Sequence, residues 1–346
     1  MLTPKFNIIL FVFISITASV FILDACKKRD VILTTPIQFK IPAGWPQPKE
    51  LFTNNPLNEE TFQLGRKLFY EGKLSKDGNF PCSSCHQPFA SYTTFQHDRS
   101  HGYNNSHTFR NAPGLLNVAW LNELFWDGSQ DHLNVSLTHI TRSNEMAESI
   151  DNVLQKLKND TSYIRMFKAA FGDDQITGIN LLRSLEQFVA FIISDNSKYE
   201  KVMRGETTFT TAEETGYNLF KAKCAACHKE PLFTDNSFRN VGLPIDPTLK
   251  DYGRMSVTGN KNDSLKFRVP GLRNVMLTSY YSHDGRFSDA GQMLQHYSSG
   301  VQQSPTLDPI LINGIPLSNS EISYLVLFMS TLTDASVTSN PRFLKP

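Results

Sequence analysis

The sequence predicts a mainly α fold in which two domains of the same plan follow one another, with long loops between their helices. Three observations lead to this prediction. Apolar residues recur at helical spacing in several segments, strand signals are sparse and short, and the second half repeats motifs of the first in the same order. A chain of 346 residues, 40% of them hydrophobic, is long enough to bury a core in each of two domains.

Residues 1–25 are interpreted as an export signal, because residues 8–23 are apolar and almost free of charge. Residues 23–26 resemble the cleavage box of bacterial lipoproteins, although Asp24 is unusual in such a box. We therefore expect a periplasmic protein that is anchored to a membrane through lipidated Cys26. A plain signal peptide and a single membrane anchor are the alternatives, and both also place the chain outside the cytoplasm.

Residues 26–55 are rich in proline and predict an extended tether. Residues 56–205 are predicted to form the N-terminal domain, whose first helix begins near Asn58. Further helices are predicted over residues 145–171 and 178–203, where apolar side chains recur at helical spacing.

Residues 206–346 are predicted to form the C-terminal domain, whose first and last helices carry start signals. Thr211 and Glu214 have the spacing of a capping box, in which each side chain bonds to the backbone of the other residue. Ser318 and Glu321 have the same spacing and predict the closing helix.

The two domains repeat their motifs in one order, which indicates two copies of one module. Each has a helix with a glycine, then Cys-x-x-Cys-His, then a run around Pro-Gly-Leu, then an Asp-Gly turn. Aligned in this way, Trp126 falls opposite His283. The matching positions are Gly65 and Gly216, residues 82–86 and 224–228, residues 110–118 and 268–275, and residues 125–128 and 282–285.

Each Cys-x-x-Cys-His sequence is an attachment site for haem c, with the cysteines bonded to the haem and the histidine bound to the iron. A redox dithiol or half a zinc site is the competing interpretation. The fold class is therefore mainly α, with two cytochrome c-like haem domains in tandem. The residues expected to hold the haems are Cys82, Cys85 and His86, and Cys224, Cys227 and His228.

Together these motifs resemble the bacterial di-haem cytochrome c peroxidase family, which includes methylamine-utilisation enzymes that oxidise a protein tryptophan. The resemblance implies that the N-terminal haem is peroxidatic and that electrons enter at the C-terminal haem. It covers roughly residues 50–335 and also depends on Asn-Glu-Met at residues 144–146.

The resemblance implies catalytic roles for Glu145 and Trp126. Glu145 matches the distal acid, which takes a proton from bound peroxide and returns it to the departing oxygen. A helix-terminal glutamate favoured by the helix dipole is the alternative. Trp126 matches the tryptophan between the two haems, which carries an electron across the gap, and an ordinary buried aromatic residue is the alternative.

The resemblance also implies a calcium ion between the domains, bound by Asn111, Thr278 and the carbonyl oxygen of Tyr280. Oxygen ligands suit Ca²⁺. The family usually has proline at the position of Tyr280, and turn residues are the alternative interpretation.

The chain departs from the family at the distal histidine of the N-terminal haem, where Tyr103 stands. His97, His101 and His107 lie nearby, so a shifted loop is an alternative source of a ligand. We expect that none of them is a fixed ligand and that this haem reacts without prior activation.

The second departure is at the C-terminal haem, where Tyr297 replaces the family's methionine ligand, as in the tryptophan-oxidising branch. We expect Tyr297 to bind this iron, and Met293 is the rival ligand. His283 is interpreted as a neighbour of the haem. Arg268 and Arg273 are expected to face either haem propionates or solvent.

The expected function is reduction of hydrogen peroxide to water with electrons from a small periplasmic cytochrome c or copper protein. A peroxide-dependent oxidase that modifies side chains of a partner protein is one alternative, and a non-enzymatic di-haem electron carrier is another. The net charge of +1, without a basic block, argues against nucleic-acid binding. Family members are often dimers, so a homodimer is also an expectation.

Overall fold

The computed structural model describes residues 34–48, 51–52, 54–172 and 176–346, so the predicted signal and Cys26 lie outside it. The chain is mainly helical, as predicted, and its strands β1 (Phe238–Arg239) and β2 (Phe267–Arg268) form one antiparallel pair. Across the described ranges, no helix is both long enough and apolar enough to cross a bilayer. The helices are α1 (Glu59–Phe69), α2 (Cys82–Cys85), α3 (Val135–Thr141), α4 (Ile150–Lys158), α5 (Thr161–Phe171), α6 (Gly178–Ala190), α7 (Lys198–Met203), α8 (Thr211–Lys223), α9 (Met255–Thr258), α10 (Ala290–Gln295), α11 (Asn319–Ser330) and α12 (Ala335–Thr338).

Local capping explains where the main helices begin. Asn58 caps α1 by accepting a hydrogen bond from the backbone of Thr61 at 2.7 Å. The capping box of α11 is formed by Ser318 and Glu321, as predicted. The box of α8 lies one residue earlier than predicted, at Thr210 and Glu213.

The two long helices predicted in the N-terminal domain are each divided. Residues 145–171 form α4 and α5, because Asp160 accepts a hydrogen bond from the backbone of Ser162 and starts a new helix there. Residues 178–203 form α6 and α7, and Ser197 with Glu200 makes a capping box at the start of α7.

The repeated glycines mark the same close helix crossing in both domains. A Cβ atom on Gly65 of α1 would lie 1.9 Å from the carbonyl oxygen of Ser184 in α6. A Cβ atom on Gly216 of α8 would lie 2.0 Å from the carbonyl oxygen of Tyr324 in α11. Each domain core is therefore organised around one pair of helices that only glycine allows to approach so closely.

The repeated Asn-Val sequences mark a second shared feature. Asn117 and Asn274 both have left-handed backbones, with φ of 57° and 55°, and each starts a short 3₁₀ turn. The Asn117 side chain accepts from the backbone of Ser194 at 2.9 Å, and that of Asn274 accepts from the backbone of Asp334 at 2.6 Å. In each domain, this asparagine joins the loop after the haem motif to a distant segment.

The C-terminal end of each predicted domain packs on the other half of the chain. Tyr199 of α7 contacts Phe233 and Phe328 in the C-terminal core, with ring centroids 5.0 and 6.4 Å apart. Phe343, near the C-terminus, packs against Phe62 of α1 in the N-terminal core. The two cores are therefore interlocked by residues on the far side of the predicted boundary.

The described part of the predicted tether packs on the N-terminal half. The ring of Trp45 lies edge-on to Trp120, with centroids 4.9 Å apart, and Phe39 lies 5.6 Å from the same ring. The indole nitrogen of Trp120 donates to the carbonyl oxygen of Pro46 at 2.8 Å. Aromatic contacts thus fix a segment whose proline content predicted only an extended backbone.

Candidate functional site

The N-terminal cavity measures about 420 Å³, and both domains contribute to its lining. Asp251 and Ser256 reach it from the C-terminal domain. The first haem motif and the two residues predicted for catalysis line this one cavity: Cys82, Cys85, His86, Trp126 and Glu145.

The C-terminal cavity measures about 200 Å³ and is mostly apolar. A widened helical turn over His296–Gly300 follows α10 and carries Tyr297 to the cavity. Such turns are frequent at functional sites. The second haem motif, both candidate sixth ligands and His283 all line this cavity: Cys224, Cys227, His228, Tyr297, Met293 and His283.

The two motif histidines are oriented alike. Nδ1 of His86 donates to the carbonyl oxygen of Tyr92 at 2.9 Å, and Nδ1 of His228 donates to that of Phe233 at 3.0 Å. Each ring therefore keeps Nε2 for a metal. Burial, with a contribution from His139, lowers the pKa of His86 to about 4, and burial also lowers the pKa of His228. Both rings are neutral, as metal ligation requires.

The motif cysteines are unsuited to thiolate chemistry. Burial, with the neighbouring cysteine adding to it, raises the pKa of Cys82 to about 12 and that of Cys224 to about 11. Redox dithiols and zinc ligands need lowered thiol pKa values. In the part of the chain that the structure describes, no group of three or more histidine, cysteine, aspartate or glutamate residues is arranged for a metal ion. Thioether bonds to haem fit these cysteines better.

Arg268 provides an independent test of whether a haem fits. Its side chain is 5% exposed, and its Nε donates only a long bond, 3.4 Å, to the carbonyl oxygen of Phe125. Burial alone lowers its pKa to about 10, and no described carboxylate pairs with it. A buried cation without a partner is costly, so the cavity that Arg268 lines fits an anionic haem propionate. Arg273 instead pairs with Glu200 at 2.7 Å and is neither free for a propionate nor solvent-facing.

Trp126 lines both haem cavities. Its indole nitrogen donates to the carbonyl oxygen of Asn111 at 2.9 Å, which fixes the ring. His283, its counterpart in the repeat, lies flat on Phe267 with ring centroids 3.7 Å apart. Trp126 thus lines both haem cavities, whereas His283 lines only the C-terminal one of the two.

Glu145 is held on both carboxylate oxygens. One oxygen contacts Nδ1 of His139, and the other accepts from Arg142 at 3.0 Å. Burial raises the pKa of Glu145, but His139 and Arg142 together lower it more, so the net pKa lies below its usual range. The side chain is thus ionised at neutral pH, as a proton acceptor must be.

His139 is the site residue that sequence reasoning missed. It lies on α3, lines the N-terminal cavity, and its ring centroid is 6.2 Å from that of His86. The signal was available in the sequence, because His139 precedes Glu145 by only six residues. The family register instead indicates a distal histidine only in the loop around Tyr103.

The loop around Tyr103 approaches the cavity through its backbone. The backbone of Tyr103 donates to the carbonyl oxygen of Glu145 at 2.7 Å. His101 lines the cavity, and the rings of His97 and His107 lie 4.8 and 4.4 Å from that of His101.

The residues predicted to bind calcium share a third cavity of about 140 Å³ between the domains. Asn111, Thr278 and Tyr280 line it, together with Trp126. The Asn111 amide nitrogen donates to the carbonyl oxygen of Asp98 at 2.8 Å, and the Thr278 hydroxyl accepts from Thr93 at 3.1 Å.

Two cavities that each contain a Cys-x-x-Cys-His sequence, in a mainly helical tandem fold, define a di-haem c-type protein. Comparison with known proteins gives the same class. A family model described as di-haem cytochrome c peroxidase matches residues 59–208. The methylamine utilization protein MauG of Methylorubrum extorquens is 31% identical over 302 residues, which cover 85% of this chain and 83% of that protein.

Two further similarities extend over most of the chain. The cytochrome c551 peroxidase of Nitrosomonas europaea is 31% identical over 283 residues, 80% of this chain and 81% of that protein. The crystal structure of a MauG-like protein associated with microbial copper homeostasis matches with a TM-score of 0.81 at 30% identity, over 90% of this chain and 99% of that one. The chain belongs to the di-haem cytochrome c peroxidase family, whose members are oxidoreductases with covalently bound haem c.

Proposed function

We propose that this protein reduces hydrogen peroxide to water in the N-terminal cavity, with electrons from a small periplasmic cytochrome c or copper protein. The observation that carries the proposal is the placement of the carboxylate of Glu145 in the cavity that also contains the haem-binding His86. Haem in this cavity would supply the iron that binds peroxide.

Glu145 transfers protons in this proposal. Its lowered pKa keeps the side chain ionised, and an ionised carboxylate can take a proton from peroxide and return it to the departing oxygen. Arg142 and His139 hold the carboxylate in the cavity before any substrate binds.

Trp126 connects the two cavities for electrons that enter at the C-terminal haem. The position of its ring on both cavity walls and its fixed indole nitrogen support this role. Tyr297 is proposed as the sixth ligand of the C-terminal iron, with Met293 as the rival, because both side chains line that cavity.

Three further features belong to the proposal. Calcium in the cavity lined by Asn111, Thr278 and Tyr280 would join the two domains, and its removal by a chelator should lower the thermal stability of the protein. The apolar N-terminal segment supports export to the periplasm and a lipid anchor on Cys26. A homodimer is proposed because members of the family are often dimers.

A second candidate function is peroxide-dependent oxidation of side chains on a partner protein. The 31% identity to a methylamine utilization protein MauG favours it, and so does Tyr297 on the wall of the C-terminal cavity. The two functions differ in the electron source. A protein that consumes peroxide only with a dedicated protein substrate, and not with small cytochromes, would support the second.

The test of the first function is Glu145→Gln with Glu148→Gln as its matched control. The two side chains are similarly little exposed, 11% for Glu145 and 7% for Glu148, and each pairs with a cation, but Glu148 does not line the cavity. Peroxide-dependent oxidation of reduced cytochrome c should fall by orders of magnitude in Glu145→Gln and stay near wild type in Glu148→Gln, with normal haem content in both. Unchanged turnover in Glu145→Gln would remove Glu145 from the mechanism.

A further inference from the structure

We propose that His139 is the sixth ligand of the N-terminal haem iron, bound through Nε2 on the side opposite His86. This inference concerns iron ligation and holds whether or not peroxide is the substrate. It differs from the expectation that this haem reacts without prior activation, and it leaves untouched the expectation that His97, His101 and His107 are not fixed ligands.

The separation of the two rings carries the proposal. The ring centroids of His86 and His139 lie 6.2 Å apart, and the ring planes are inclined by 75°. Metal–nitrogen bonds to imidazole are about 2 Å long, so an iron between two imidazoles separates their centroids by roughly 6 Å. The observed spacing fits one metal ion bound between these two side chains.

The hydrogen bonds leave the same nitrogen available on each ring. Nδ1 of His86 is engaged by the carbonyl oxygen of Tyr92, and Nδ1 of His139 is engaged by the carboxylate of Glu145. A histidine whose Nδ1 donates to a carboxylate presents the Nε2 lone pair, as metal-binding histidines commonly do.

The orientation of His139 is supported by its neighbours. Its ring lies edge-on to Phe125 with centroids 5.0 Å apart, and the guanidinium of Arg142 lies 4.6 Å from the centre of the same phenyl ring. Arg142 also holds Glu145, so one cluster positions both the histidine and its carboxylate.

The loop histidines lack such an arrangement. His97 and His107 pack against His101, whose Nδ1 contacts Asn105 at 3.0 Å. His101 does line the cavity, which makes it a suitable control residue.

Ligation of the iron by His139 would also affect the carboxylate of Glu145. His139 contacts one oxygen of Glu145, and as an iron ligand it would also keep external ligands away. Displacement of His139 would make the iron accessible and would free that oxygen of Glu145 to accept a proton. Ligand binding is then limited to the fraction of molecules in which His139 is displaced.

The test is electron paramagnetic resonance of the fully oxidised holoprotein, for wild type, His139→Ala and His101→Ala. Wild type and His101→Ala should show a low-spin N-terminal haem. In His139→Ala that signal should become high-spin, return on adding imidazole, and leave the C-terminal signal unchanged. Cyanide should bind at least about tenfold faster to this variant, because no ligand has to leave first.

A measurement on the wild type guards against a variant that fails to fold or to incorporate haem. Near-infrared magnetic circular dichroism of the oxidised protein should show a haem with two histidine ligands. A high-spin N-terminal haem in wild type, or an unchanged low-spin signal in His139→Ala, overturns the proposal. Peroxide turnover is not a readout here, so the ligation and the proposed activity succeed or fail separately.

Discussion

At the scale of single residues, Arg268 and Trp126 lie where the two haem cavities approach each other. Arg268 is a buried cation without a described carboxylate partner and lines the C-terminal cavity, whereas Trp126 lines both cavities. The backbone of Arg268 donates to the carbonyl oxygen of Trp126 at 2.7 Å, so the two are directly linked. The guanidinium of Arg268 would offer its positive charge to a haem propionate, and the ring of Trp126 lines both cavities.

Trp126→Phe is expected to slow electron transfer between the haems by an order of magnitude or more, because phenylalanine is much harder to oxidise than tryptophan. Trp120→Phe is the control, since Trp120 is also buried but lines neither haem cavity. Flash reduction of the C-terminal haem, followed by the absorbance of the N-terminal haem, measures the rate. An unchanged rate in Trp126→Phe would exclude the tryptophan path.

Much of the site could be predicted from local sequence, but the position of His139 beside His86 could not. The haem motifs specify their own chemistry within five residues, and Asn58 or Ser318 marks a helix start through contacts three residues away. His139 meets His86 only because α3 and the loop to Glu145 fold over the first haem motif. Contacts of that kind depend on tertiary packing, which no local pattern records.

At the scale of elements, two helix pairs with a glycine at the crossing organise the domains. The sequence showed the repeated glycine, but the reason for it is visible only in the crossing of α1 with α6 and of α8 with α11. The segments around Tyr199 and Phe343 interlock the two cores. Local sequence does not show this packing, because their aromatic partners are far away along the chain.

Gly65→Ala is expected to destabilise the protein by about 1–3 kcal/mol, because the added methyl group would overlap the carbonyl oxygen of Ser184. Gly178→Ala in α6 is the control, since its Cβ would meet its nearest neighbour at an ordinary 3.4 Å. Urea unfolding of the holoproteins gives both values. Equal stability of the two variants would contradict the close-crossing explanation.

At the scale of the whole molecule, an ion cluster at the rim of the N-terminal cavity joins the domains. Arg110 pairs with Asp127 of its own domain at 2.6 Å and, through two hydrogen bonds of 2.6 and 2.8 Å, with Asp251 of the other. Burial raises the pKa of Asp251, but Arg110 lowers it more, so its net pKa is depressed.

Asp251→Asn is expected to destabilise the protein by about 3 kcal/mol at neutral pH, because Arg110 loses one buried partner. Since the folded pKa of Asp251 is depressed, its contribution is complete above the unfolded value of about 3.9 and is lost as pH falls through the folded pKa. The difference in melting temperature from wild type should therefore shrink in acid. Glu206→Gln, which breaks an exposed pair with Arg204, should change little at any pH, and a pH-independent Asp251→Asn effect would contradict the assignment.

The central claim is that the two haem cavities differ, with only the N-terminal one able to admit an external ligand, which there competes with His139. A cyanide titration of the fully oxidised protein to equilibrium, followed by electron paramagnetic resonance, tests it most directly. The account predicts that one haem per chain binds cyanide, that its spectrum is the one altered by Glu145→Gln, and that the other haem is unaffected. Binding at both haems, at neither, or at the haem that is insensitive to Glu145→Gln would contradict it.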